Sequence, residues 1–299
     1  MENKKEFIRN SVSLIPKDLM ISDLNWRLII DSIVDGKNLL MKGAAGSGKT
    51  TALQLAAGIS GRPFFYFNLG STNDPRSAII GNTHFDKNKG TYFAQSEFIT
   101  AITTPNAVIL MDELSRINLE AGNILLTVLD HQRYLRIDES PETPVIRVAE
   151  GVSFLATANI GSEYTGTITI DQALRERFGI EIEMDLLTKE KQHELIKIRY
   201  PEVSDKEIEV LTSIYAQINQ EVENDSGRIQ VGISTRKILE VARLINNGFT
   251  MGEAMEAVII KNFSKDGGAE SERFYVKQII QRYVADDELS NDNIFSHSV

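Results

Sequence analysis

The run Leu39-Leu40-Met41-Lys42 passes straight into Gly43-Ala44-Ala45-Gly46-Ser47-Gly48-Lys49-Thr50, and a helix-forming stretch, Thr50 to Ile59, follows. No other feature of the chain restricts its fold as much. The eight residues match G-x-x-x-x-G-K-[ST] in the strand–loop–helix setting that the pattern requires. Glycines at 43, 46 and 48 let the backbone turn its N–H groups inward around a phosphate, helped by the positive end of the following helix. Residues 43 to 48 act through the backbone, so Ala44, Ala45 and Ser47 belong to the cradle as much as the glycines do. Lys49 is placed to reach the β- and γ-phosphates, and the Thr50 hydroxyl to ligate Mg²⁺.

Around this unit the apolar runs Leu39–Lys42, Phe64–Leu69, Ala107–Met111, Ser153–Ala158 and Ile180–Met184 alternate with helix-like segments such as Thr50–Ile59 and Asn118–Leu129. Runs that are continuous rather than alternating suit strands buried on both faces, so the expectation is an α/β fold with a five-stranded parallel sheet. After residue 187 the character changes. Lys189–Arg199, Asp205–Gln220, Ser234–Asn246, Met251–Phe263 and Glu272–Val284 read as amphipathic helices, with Ser204 and Ser234 at N-cap positions and a polar loop at Glu223–Gly227. The expected organisation is an α/β domain over 1–187, a small helical domain over 188–284 and a loose acidic tail over 285–299. Two stretches interrupt the minimal fold and read as hairpins, 81–93 and 133–148.

Composition removes several alternatives. The 299 residues include no cysteine, which excludes thiol catalysis, disulfides and thiolate metal sites. The opening MENKKEFIRN lacks the apolar core of a signal peptide, and no apolar run approaches the roughly 20 residues of a membrane span. A cytoplasmic chain without membrane contact is expected. The net charge of -10 disfavours broad nucleic-acid binding, which draws on basic surface.

The run Val108-Ile109-Leu110-Met111 ends in Asp112-Glu113. Consecutive strand residues point to opposite sides, so the two carboxylates have different tasks. Asp112 suits Mg²⁺ through its water shell, and Glu113 suits polarisation of an attacking water. No Asn-Lys-x-Asp guanine signature is present, since Asn88-Lys89-Gly90-Thr91 fails at its last position. ATP and Mg²⁺ are therefore the expected cofactors.

The order of the glycine loop, the Asp112-Glu113 strand, Ala156-Thr157-Ala158-Asn159, and then Ala173-Leu174-Arg175-Glu176-Arg177-Phe178 resembles the AAA+ ATPases. Within them, Asp112-Glu113-Leu114-Ser115-Arg116 is similar to the Asp-Glu-Ile-Asn-Arg of the MoxR and dynein-related branch. The resemblance spans about residues 35 to 260 and implies roles residue by residue. Asn159 matches the first sensor, an amide that contacts the γ-phosphate and the attacking water. Arg177, with Arg175 beside it, matches the arginine finger that completes a neighbouring subunit's site. Ser234-Thr235-Arg236 resembles the second sensor, with Arg236 toward the γ-phosphate. Asn68 stands where the family keeps a polar switch that restrains the catalytic glutamate. The hairpins resemble the branch's two inserts, the first of which faces a central pore. A ring homo-oligomer, with six subunits expected, and a protein client are implied, often with a von Willebrand A domain partner. A nucleic-acid motor of McrB type, or the ATPase subunit of a CobS-like chelatase, stands as the alternative. The loop lacks the prolines usual in this branch, and Thr235 replaces a proline before Arg236.

Overall fold

Five strands form one parallel sheet in the computed structural model, which describes residues 2–70, 74–87, 90–137, 144–159, 170–224 and 228–284. In chain order the strands are β1 Asn38–Gly43, β2 Phe64–Asn68, β3 Gly81–Asp86, β4 Gly90–Gln95, β5 Val108–Asp112, β6 Tyr134–Arg136, β7 Val145–Arg147, β8 Ser153–Asn159 and β9 Ile180–Met184. The large sheet runs β2-β5-β8-β1-β9, and the remaining strands pair as two antiparallel hairpins, β3–β4 and β6–β7.

The three inner strands are buried nearly throughout, since helices cover both faces of a parallel sheet. The two edge strands depart from the expected continuous burial. Residues of β2 are exposed or half-buried, and β9 alternates Ile180, Glu181, Ile182, Glu183, Met184 with only Ile182 and Met184 buried. An edge strand has a neighbour on one side only, so part of its surface meets water.

Contact density separates two units. The first holds residues 1–16, 21–44 and 48–184, and the second holds 17–20, 45–47 and the described residues from Asp185 onward. The first unit includes two helices that the sequence did not announce, Glu2–Asn10 and Asp23–Val34. Trp26 anchors the second of these, fully buried, with its indole Nε1 donating to Ser11 O at 2.9 Å. Its core lies between the sheet and the helices Glu97–Thr103 and Leu119–Leu129.

The second unit has its own apolar core, built from Lys189–Arg199, Asp205–Glu223, Thr235–Asn246, Met251–Val258 and Glu272–Gln281. Ser204 and Glu207 form a reciprocal capping box, as do Thr250 and Glu253. Ser234 occupies an N-cap position without a side-chain cap bond. The helix expected to end at Gln220 continues through Glu223, so the polar loop begins later. Residues 225–227, the tip at 88–89, the 138–143 connection and the tail from 285 lie outside the described residues. Among the described residues no helix is long and apolar enough to cross a membrane.

Candidate nucleotide-binding site

At the end of β1 the chain turns through Gly43, Gly46 and Gly48 with φ of 145°, 77° and 93°. These are values that L side chains rarely adopt. At Gly43 the need is also steric, because a Cβ there would stand 2.1 Å from the carbonyl oxygen of Met184 at the end of β9. Gly48 is the N-cap of the helix Lys49–Ser60, so the unpaired N–H groups of the first turn face the loop. Lys49 is 5% exposed, and its Nζ donates to Gly43 O at 3.0 Å and Ala44 O at 2.7 Å. Ser47 Oγ is buried without a partner among the described residues.

Asp112 ends β5 in register with Asn68, and the adjacent pair Met111–Ala156 places Thr157 alongside it. The residue is 8% exposed, and its carboxylate accepts three hydroxyls. Thr50 Oγ1 donates to Oδ1 at 2.9 Å, Thr157 Oγ1 also donates to Oδ1, and Tyr66 OH donates to Oδ2 at 2.8 Å. Burial first, and then the bond and charge of Asp112, push the Tyr66 phenol up to about 12. Thr157 has a second task, since its Oγ1 accepts the backbone N–H of Glu113 at 3.0 Å.

That contact holds Glu113 in left-handed backbone geometry, φ 58° and ψ 41°. Glu113 Oε2 lies 3.3 Å from Arg116 Nε and packs on Gly70, where a Cβ would come within 2.3 Å of that oxygen. Asn68, which the resemblance singled out as the switch, turns its Oδ1 to accept from Gly70 N at 2.9 Å. Arg116 pairs with Glu113.

Asn159 ends β8 in register with Gly43, beside the mouth of the loop. Both finger candidates are engaged within the first unit. Arg175 makes a two-pronged pair with Glu181 at 2.6 Å for each bond, which holds the guanidinium pKa above its ordinary value and the carboxyl below its own. Arg177 reaches Asp130 Oδ2 at 3.0 Å and donates to Ala173 O at 3.2 Å, while its Nε is buried without a partner among the described residues. Arg236 is exposed at the second position of its helix, within the second unit.

The structure thus gathers Lys49, Thr50, Asp112, Glu113 and Asn159 at one end of the sheet. It adds Thr157, Tyr66 and the Arg116–Gly70 pair, to which the sequence reading gave no role. A signal for two of them was present. Side chains alternate along a strand, so Thr157 shares a face with Asn159, and Tyr66 with Asn68.

A β2-β5-β8-β1-β9 parallel sheet with a glycine-lined phosphate loop after β1 and an acid at the tip of β5 defines a P-loop ATPase of the AAA+ class. The profile of the AAA domain (dynein-related subfamily) matches residues 38–178, and that of the CbbQ/NirQ/NorQ C-terminal region matches 202–274. A Thauera aromatica protein named "Putative chaperone BssE" is 30% identical over 221 residues, 74% of this chain and 73% of its own length. An uncharacterized protein of Staphylococcus saprophyticus is 29% identical over 164 residues, 54% of this chain and 60% of its own. A solved structure described as a "putative ATPase" from Cytophaga hutchinsonii superposes with a TM-score of 0.47 at 19% identity, covering 95% of this chain and 97% of that one. The chain belongs to the MoxR-like, dynein-related family of AAA+ ATPases.

Proposed function

We propose that the protein is an ATP-hydrolysing ring that remodels, activates or assembles a partner protein. The observation that carries this is the 2.9 Å bond between Thr50 Oγ1 and Asp112 Oδ1, two hard oxygen ligands side by side at the mouth of the glycine loop. That pair fits Mg²⁺, and Ser47 Oγ, buried without a partner among the described residues, suits a phosphate oxygen. Mg²⁺, when bound, supplies charge neutralisation between the β- and γ-phosphates.

The chain's own residues do the rest. Residues 43 to 48 cradle the phosphates through their N–H groups. Lys49 exchanges the carbonyls of Gly43 and Ala44 for phosphate oxygens. Glu113, freed from Arg116, takes the proton of the attacking water, which Asn159 orients. Arg177, or Arg175 beside it, serves the neighbouring subunit's γ-phosphate, and Arg236 acts as the second sensor. In this reading residues 1–187 form the α/β domain and 188–284 a lid whose motion carries the work. Six subunits and a von Willebrand A domain partner are expected from the family resemblance, a cytoplasmic setting from the composition, and the name of the Thauera relative supports chaperone-type work.

The test is Glu113→Gln, which should bind ATP and lose about 10²- to 10⁴-fold in hydrolysis. With ATP it should sediment as a closed ring and retain the client in a pull-down read by mass spectrometry. Normal turnover in this variant refutes the catalytic assignment. A wild-type monomer with full activity at every concentration refutes the ring.

A further inference from the structure

We propose that Tyr66 is a positioning residue for the metal-holding carboxylate, its hydroxyl fixing the second oxygen of Asp112 and thereby setting how tightly the nucleotide site takes Mg²⁺. The proposal rests on Asp112 and Thr50 as the metal pair.

Three elements triangulate the carboxylate. Thr50, from the helix after the loop, and Thr157, from β8, both donate to Oδ1. Both bonds end on the same atom, so neither of them engages Oδ2. Tyr66 donates to Oδ2 from the opposite neighbour strand, β2, at 2.8 Å. Each oxygen of the carboxylate is thereby anchored by a hydroxyl, which limits the lone pairs left for the water shell of Mg²⁺.

The sequence around Tyr66 isolates the hydroxyl as the point. The run is Phe64-Phe65-Tyr66-Phe67, and the oxygen occurs at the residue that reaches Asp112. Packing does not require it, because the Tyr66 ring is 42% exposed on an edge strand. A hydrogen bond to a charged group is among the stronger ones a protein makes, and this one ends on the carboxylate of a buried residue.

The experiment uses the full chain and a fluorescent ATP analogue, binding being followed in EDTA and then against rising Mg²⁺. Tyr66→Phe keeps the ring and removes only the oxygen. The expected result is unchanged binding in EDTA and a midpoint for Mg²⁺ raised by about tenfold. Asp112→Asn is run beside it. An unmoved midpoint in Tyr66→Phe, with Asp112→Asn strongly shifted, overturns the role of Tyr66 and leaves the metal pair standing. No shift in either variant overturns the metal pair and the proposal with it. Weaker binding by Tyr66→Phe in EDTA, with the Mg²⁺ midpoint unmoved, assigns Tyr66 to packing or to the nucleotide itself and overturns the proposal.

Discussion

Replacing Thr157 by valine removes one oxygen and leaves shape, volume and strand preference nearly unchanged. Two contacts go with it. The Glu113 backbone N–H loses its acceptor at 3.0 Å, and Asp112 Oδ1 loses one of its two hydroxyl donors. Thr157 is 2% exposed, so water cannot readily replace the missing oxygen. An unsatisfied buried N–H costs about 1–3 kcal/mol, and the lost bond to a carboxylate adds to it. Thr50 and Tyr66 still hold Asp112, which limits the sum to about 2–3 kcal/mol. At about 2–4 °C per kcal/mol for a unit of this size, the melting temperature of the first unit should fall by roughly 4–12 °C. Differential scanning calorimetry reads the loss, and Mg²⁺-ATP turnover should fall with it because both acids are displaced. Thr157→Ser, which restores the oxygen, should recover most of both. A fall of under about 1 °C together with unchanged turnover would refute the relay through Thr157.

The arginine finger is tested by mixing two inactive proteins, Lys49→Ala and Arg177→Ala. Some interfaces in a mixed ring pair an intact loop with an intact finger, so activity should return in part, against a finger effect of about 10³- to 10⁵-fold. No recovery in rings shown by mass spectrometry to be mixed refutes action between subunits. The Tyr66 phenol is raised from 10.0 to about 12 in the folded chain, so its contribution to stability is present below about pH 10 and is lost as pH rises toward about 12. The stability margin of wild type over Tyr66→Phe, measured by urea unfolding, should be flat from pH 7 to 9.5 and shrink above pH 10. A margin that grows in that window refutes the assignment.

Much of the site was legible in the chain because its signals are local. The glycines of 43–48, Lys49 and Thr50 are adjacent residues whose backbone demands and chemistry coincide, and Asp112-Glu113 ends an unbroken apolar strand. Helix periodicity and caps announced the second unit for the same reason, since each needs only neighbours three or four residues away. The edge character of β2 and β9 was not legible, because burial of a strand depends on how many neighbours it acquires. Nor were the partners of the two acids. Asp112 meets residues 62, 46 and 45 positions away in Thr50, Tyr66 and Thr157, and only the strand order β2-β5-β8 brings them to one carboxylate. Glu113 pairs with Arg116 three residues on, at the turn that its left-handed backbone begins, over a glycine with no Cβ to block it. The local pattern of the chain determined which chemistry it carries. The tertiary fold decided which hydroxyls Asp112 meets, because those hydrogen bonds join elements that sequence distance does not order.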